Sequence, residues 1–176
     1  MHSVMALPFS DDIAQVRSKF ESLLEQHAGI VLKIAYTYCR SKDDRDDLAQ
    51  EICVALWQSF GRYDPGRPFS TWMYRVALNV AISQVRRVQS RDRSSVAIDH
   101  AVEIAAPQPA EPDPRLAALN QFIQQLEPLH RALLLLYLDD RSYAEIAEVL
   151  GITETNVATK ISRLKQLIRR DMTHAD

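Results

Sequence analysis

The sequence predicts an all-α protein made of two small helical domains, and three observations carry that prediction. Glycine is scarce, at 4 of 176 residues, while good helix formers such as Ala, Leu, Gln, Arg and Glu dominate. Apolar residues recur at helical spacing in one segment after another, and no segment alternates as a half-buried strand would. Four prolines between Pro107 and Pro114 break the pattern, because none can occupy a helix interior. The boundaries implied are a first domain over 1–88, a linker over 89–114 and a second domain over 115–176.

The helices follow in order. Asp11 to Gln26 carries Ile13, Val16, Phe20, Leu23 and Leu24 on one stripe. Ile30 to Arg40 carries Ile30, Val31, Ile34, Ala35 and Tyr38. Asp43 to Phe60 turns Leu48, Ile52, Ala55 and Leu56 inward. Tyr63-Asp64-Pro65-Gly66-Arg67-Pro68 is a turn by composition, and a fourth helix runs from Phe69 or Ser70 to about Val88. In that helix Phe69, Met73, Val76 and Val80 are expected to face the core. The stretch from Val88 to Pro114 is acidic and proline-rich, which predicts an extended tether. After it come helices over Arg115–Leu126 and Pro128–Leu138, with Pro128 suited to a first helical turn.

The last segment is the most specific. Ser142 and Glu145 have capping-box spacing at the start of a short helix whose apolar side is Ile146, Ala147, Val149 and Leu150. Gly151 stands where a helix end favours positive φ. Thr153 caps a second helix with Val157, Ile161, Leu164 and Ile168 on one stripe. Its other side shows Thr155, Asn156, Thr159, Lys160, Arg163, Gln166 and Arg170. Hydroxyls, amides and cations in that layout suit base edges and phosphates, so the unit reads as a helix-turn-helix DNA reader or as a helical hairpin with a solvated basic face.

Charge sharpens the reading. The net charge is only −2, yet it is unevenly spread. From Gly61 to Arg87, five arginines (Arg62, Arg67, Arg75, Arg86, Arg87) face one acid, Asp64. From Ile152 to Arg170, Lys160, Arg163, Lys165, Arg169 and Arg170 face Glu154 alone. Two basic patches in a neutral total are local electrostatic footprints. Phe60, Tyr63, Phe69, Trp72 and Tyr74 interleave with the first patch, as an aromatic core with a basic rim or as a stacking surface for single-stranded nucleic acid. On the third helix Asp47, Gln50, Glu51 and Val54 share a face that is either simply solvated or docks a basic helical partner.

Other classes are disfavoured. Cys39 and Cys53 lack metal-ligand spacing and sit in apolar helical surroundings, which predicts buried free thiols. No metal, cofactor or nucleophile–base pair is expected, and the reading is not an enzyme. Met1 to Phe9 lacks the basic region of a signal peptide. The longest apolar run, Ala132 to Leu138, is far short of the ~20 residues that span a bilayer, so a soluble cytoplasmic protein without membrane insertion is expected.

Asp46-Asp47-Leu48-Ala49-Gln50-Glu51-Ile52, followed by Tyr63 to Pro68 and Phe69-Ser70-Thr71-Trp72-Met73-Tyr74-Arg75-Val76-Ala77-Leu78-Asn79-Val80-Ala81-Ile82 and closed by Arg86-Arg87, resembles region 2 of the bacterial sigma-70 superfamily. The C-terminal unit resembles region 4, and the linker in place of a middle domain resembles the extracytoplasmic-function group. The resemblance implies that Asp47, Gln50, Glu51 and Val54 dock on the β′ clamp helices of core RNA polymerase, with the β flap as a further contact. It implies that Arg62, Tyr63, Arg67, Trp72, Tyr74, Arg75, Asn79, Arg86 and Arg87 bind and melt the −10 element. Thr155, Asn156, Thr159, Lys160 and Arg163 would read the −35 element, and an anti-sigma factor is an implied partner. The chain departs from the pattern at Cys53, Gly61 and Ala158. Two other readings are a mimic that occupies an anti-sigma factor without touching promoters, and a helix-turn-helix repressor that dimerises through its first domain. The first would not need the cations, and the second gives the acidic face and aromatic loop no work.

Overall fold

In the computed structural model, which describes residues 9–94 and 121–173, the backbone is helical throughout apart from short connections. The helices are α1 (Phe9–Gln26), α2 (Ala28–Tyr38), α3 (Lys42–Ser59), a 3₁₀ turn (Phe60–Arg62), α4 (Phe69–Ser94), α5 (Pro128–Leu138), α6 (Tyr143–Leu150) and α7 (Glu154–Thr173). Residues 121–125 are also helical. The tether expected over 89–114 and the start of the helix expected at Arg115 lie largely outside the described residues. No described helix is long and apolar enough to cross a membrane.

Local chemistry explains the helix ends. The Ser41 hydroxyl accepts from the Asp44 N–H at 3.0 Å, and Asp43 and Asp44 place negative charge at the positive end of α3. Pro128 opens α5, where its missing N–H costs nothing. Helix α2 begins at Ala28, before the expected Ile30, and α4 runs on to Ser94, past the expected boundary near Val88.

In the first half α2, α3 and α4 pack together around Ile34, Leu48, Ile52, Leu56 and Met73, all fully buried. In the second half α5, α6 and α7 enclose Leu133, Leu136, Ile146, Val157 and Ile161. The two halves are joined, because α4 also packs on α5 and α6, and α2 packs on α5. The buried residues therefore form one continuous cluster. The buried face of α4 is Phe69, Met73, Tyr74, Ala77, Leu78 and Ala81, while Val76 and Val80 are only half-buried. The expected stripe assumed one neighbour on one side; α4 has neighbours on two, and its buried face turns towards Tyr74.

Candidate nucleic-acid interface

The helix-turn-helix is built by short-range bonds. The Ser142 hydroxyl accepts from the Glu145 N–H at 3.2 Å, and the Glu145 carboxylate accepts from the Ser142 N–H at 2.9 Å, completing the capping box. The bond from the Ser142 N–H first, then a second one donated by the Ser142 hydroxyl to Glu145 Oε2 at 2.9 Å, hold the Glu145 carboxyl below its ordinary value. Gly151 ends α6 at φ 67° and ψ 34°. Its N–H and that of Ile152 both donate to the Ala147 carbonyl, which turns the chain into α7. Thr153 Oγ1 then accepts from the Asn156 N–H at 3.2 Å. With Val157, Ile161 and Leu164 buried, α7 exposes Thr155, Asn156, Thr159 and Arg163, and Lys160 is half-buried beside them. The Thr159 hydroxyl donates back to the Thr155 carbonyl at 2.9 Å, leaving its oxygen as an acceptor.

The first half presents a cleft of about 220 Å³ lined by Arg62, Tyr63, Arg67, Trp72 and Arg75, with Glu148 and Val149 of α6 on its far side. The loop beneath it is fixed by its own bonds. The Gly66 N–H donates to Asp64 Oδ1 at 2.9 Å, and the Tyr63 hydroxyl donates to the Arg67 carbonyl at 2.9 Å. Tyr63 stacks on Phe60, with ring centres 5.9 Å apart, and lies 5.3 Å from Trp72, so both half-buried rings share the aromatic cluster of Phe20, Phe60 and Phe69. Core and cleft are thus continuous.

Of the residues expected at the −10 surface, Arg62, Arg67, Arg75, Asn79, Arg86 and Arg87 are exposed. Tyr74 is a correction. Its relative exposure is 0%, and its hydroxyl donates to Asp139 Oδ2 at 2.5 Å, while the Arg141 guanidinium lies 5.3 Å from the ring centre. Burial first, then the bond to the Asp139 carboxylate, pushes its phenol well above the ordinary tyrosine range. Tyr74 is part of the packing between the halves.

On α3, Asp47, Gln50 and Glu51 are exposed, and Val54 keeps 54% of its surface. Glu51 Oε1 receives Arg87 Nη2 at 3.0 Å, tying this acidic face to the basic end of α4. The two free cysteines are half-buried. Burial and then the nearby Asp44 charge push Cys39 up to about 11, and burial raises Cys53. Among the described residues no cluster of His, Cys, Asp or Glu could hold a metal ion.

Three residues of the second half escaped sequence reasoning: Asp139, Arg141 and Glu148. Asp139 contacts Lys33 as well as Tyr74, Arg141 Nη1 lies 3.3 Å from Ser70 Oγ, and Glu148 pairs with Arg67. The signal available for Asp139 and Arg141 was the charged run Asp139-Asp140-Arg141 directly after an apolar helix; in the structure Asp140 takes φ 54° there. At a second attachment, the Tyr38 hydroxyl donates to the Pro128 carbonyl at 2.6 Å and Gln124 Nε2 donates to the Thr37 carbonyl at 3.1 Å.

Fold and surface define a class: a helix-turn-helix protein whose other unit is a helical bundle with an arginine–aromatic cleft. The family models for Sigma-70 region 2 and Sigma-70, region 4 match residues 23–91 and 116–168. The RNA polymerase sigma factor CarQ of Myxococcus xanthus is 32% identical over 136 residues, covering 76% of this chain and 78% of that protein. The ECF RNA polymerase sigma factor SigE of Mycolicibacterium smegmatis is 31% identical over 156 residues, 85% of this chain, which spans 60% of that longer protein. The sigma factor RpoE from Bartonella quintana, solved in complex with the anti-sigma factor NepR, shares the fold with a TM-score of 0.71 at 20% identity, covering 88% of this chain and 97% of that one. The chain belongs to the sigma-70 family, as an extracytoplasmic-function (ECF) RNA polymerase sigma factor.

Proposed function

We propose that this sigma factor divides its work among three surfaces. Asp47, Gln50, Glu51 and Val54 on α3 dock on the β′ clamp helices of core polymerase. The apolar contact at Val54 supplies burial, and the acids set register against basic partner groups. The α7 face of Thr155, Asn156, Thr159, Lys160 and Arg163 enters the major groove at the −35 element. Arg62, Tyr63, Arg67, Trp72, Arg75 and Asn79, extended by Arg86 and Arg87 along α4, capture the −10 element. Residues 1–88 form the core-docking and −10 unit, 89–114 the linker and 115–176 the −35 unit, which also contacts the β flap.

The single observation that carries this reading is the order of two surfaces on one chain: an arginine–aromatic cleft on the first half, and an exposed polar-cationic helix face on the second. Flipping a base out of its stack costs a few kcal/mol. A cleft that offers ring faces to the base and guanidinium groups to the flanking phosphates offsets that cost for single strands and does nothing for a closed duplex. Covalent chemistry belongs to the core enzyme, which places the protein in the cytoplasm with its polymerase. A solved relative is bound to an anti-sigma factor, and this chain is read as subject to the same kind of partner.

Run-off transcription tests the reading: purified core polymerase, with and without this protein, over promoters varied at −35 and −10. Start-site-specific transcripts that depend on the protein are expected. Folded protein that neither binds core nor yields transcripts would overturn it.

A further inference from the structure

The polar face of α7 is unevenly furnished. At about 100° per residue, Thr155, Thr159 and Ser162 stand opposite the buried stripe of Val157, Ile161 and Leu164, and all three are exposed. Asn156, Lys160 and Arg163 lie to one side of that line. The other side carries Glu154 and Ala158 and no cation. In a helix-turn-helix the N-terminal residues of the second helix meet the base edges. Here those residues are hydroxyls and one carboxamide. The usual guanine reader is a bidentate arginine or lysine. None stands in the first turn: Lys160 is half-buried at the flank, and Arg163 lies about 10 Å along the axis from Asn156.

Bonds already made within the helix decide what two of these polar groups can still offer. The Asn156 N–H donates to Thr153 Oγ1 at 3.2 Å, which fixes the residue in the first turn. Its exposed carboxamide has no partner among the described residues, so an acceptor oxygen and two N–H donors remain open. A carboxamide matches adenine in the major groove, accepting from N6 and donating to N7. The Thr159 hydroxyl gives its hydrogen to the Thr155 carbonyl at 2.9 Å. What remains is an oxygen that accepts, beside a methyl group. Guanine O6 and N7 and thymine O4 are acceptors and gain nothing from it, whereas the amino groups at adenine N6 and cytosine N4 can donate to it. Asn156 and Thr159 are neighbours on the helix surface, so two adjacent groups favour bases with an amino group in the major groove.

We propose that Asn156 fixes an adenine in the −35 element and that Thr159 fixes an adenine or a cytosine at a neighbouring position. The proposal rests on the reading of the α7 face as the −35 contact and adds which bases that face selects. Lys160, at the flank, contributes a phosphate contact that sets register and carries no sequence information.

The test uses holoenzyme assembled from core polymerase and the full chain, with a pool of promoter duplexes randomised at −35 and −10 whose bound fraction is sequenced. Wild type should enrich one adenine at −35 that Asn156→Ala no longer enriches. That variant should bind the wild-type sequence about fivefold to a hundredfold more weakly, with its other preferences unchanged. Thr159→Val, which keeps the shape and removes the oxygen, should lose the preference for adenine or cytosine beside it. 7-Deazaadenine at the Asn156-dependent position lacks the N7 acceptor, so it should weaken wild type several-fold and leave Asn156→Ala unaffected. The base change needs no altered protein, and it decides the matter if circular dichroism shows that a substitution disturbs α7. Guanine or thymine enriched at the Asn156-dependent position would overturn the proposal. So would a loss uniform over all sequences, which marks a phosphate contact. Unchanged enrichment by either variant would overturn the contact assigned to it. Enrichment confined to −10, with no preference anywhere at −35, would remove the reading of α7 as the −35 reader and the proposal with it.

Discussion

Gly151→Ala and Gly29→Ala are the same chemical change, and the structure predicts opposite signs. Gly151 sits at φ 67°, in the left-handed region, and a Cβ built there meets nothing within 4 Å. The whole penalty is therefore backbone conformation, about 1–2 kcal/mol for an L-residue. Reduced freedom of the unfolded chain returns about 0.4–1 kcal/mol of it, so the net loss is about 1 kcal/mol. Gly29 lies in the first turn of α2, exposed, without a positive φ and with nothing within 4 Å of an added Cβ. Alanine there gains helix propensity, at most about 1 kcal/mol in an interior and roughly half of that in a first turn. Urea unfolding followed by far-ultraviolet circular dichroism reads both. With a slope of about 2 kcal/mol per molar urea, Gly151→Ala should lower the midpoint by about 0.5 M and Gly29→Ala should raise it by about half as much. Gly151→Asn should recover part of the loss, because Asn tolerates the left-handed region. A stabilising Gly151→Ala, or shifts of the same sign at both sites, would refute the account of how α6 ends and α7 is aimed.

Replacing Asp47 and Glu51 together by Arg should lower affinity for core polymerase more than tenfold in a pull-down titration, with the circular dichroism spectrum unchanged because both side chains are exposed. Arg163→Ala should cost about 1–3 kcal/mol on a duplex carrying the preferred −35 sequence if the guanidinium reads a base; a loss uniform across a panel of sequences would assign it to phosphate. The packing between the two halves should also respond to acid. Burial alone would raise the Asp139 carboxyl, but bonds from Lys33 and Tyr74 and the charges of Lys33 and Arg141 outweigh it and hold it below its ordinary value of 3.8. A depressed carboxyl stabilises that packing fully above the ordinary value and loses the contribution as pH falls through the lowered one. The radius of gyration should therefore be flat from neutrality to about pH 4 and grow only below it, and Asp139→Asn should lack that acid-dependent component.

What was legible in the sequence was written at short range. The Ser142–Glu145 box, the Gly151 stop, the Thr153 cap and the Pro128 start involve residues a few positions apart, and the structure places each as its spacing implied. The inward set Leu48, Ile52 and Leu56 and the buried stripe of α7 follow from helical period alone. Tyr74 was misplaced for the opposite reason. Its partner is 65 residues away across the tether, and nothing local distinguishes an aromatic beside arginines that faces solvent from one covered by another helix pair. Glu148 and Asp139 share that history: each looked like an ordinary acid on a solvated helix end until the second half was laid across the first. The helix α4 runs past its expected end to Ser94: Gln89, Arg91 and Arg93 favour helix, and no Pro or Gly stands between Val88 and Ser94 to stop it.

The aromatic cluster gives the molecule a built-in optical asymmetry. Its only two tryptophans, Trp57 and Trp72, both belong to the first half, and both reach the ring cluster around Phe20 and Phe60. The second half carries tyrosines but no indole, so emission excited at the indole edge sees the first half alone. Within that half the two reporters sit differently: Trp57 is packed against Phe20 and is not among the cleft residues, whereas Trp72 lines the cleft together with Glu148. With Trp57 changed to Phe, the remaining indole becomes a single-site gauge of what occupies the cleft, be it a carboxylate of the chain, water or a nucleobase, without any label attached.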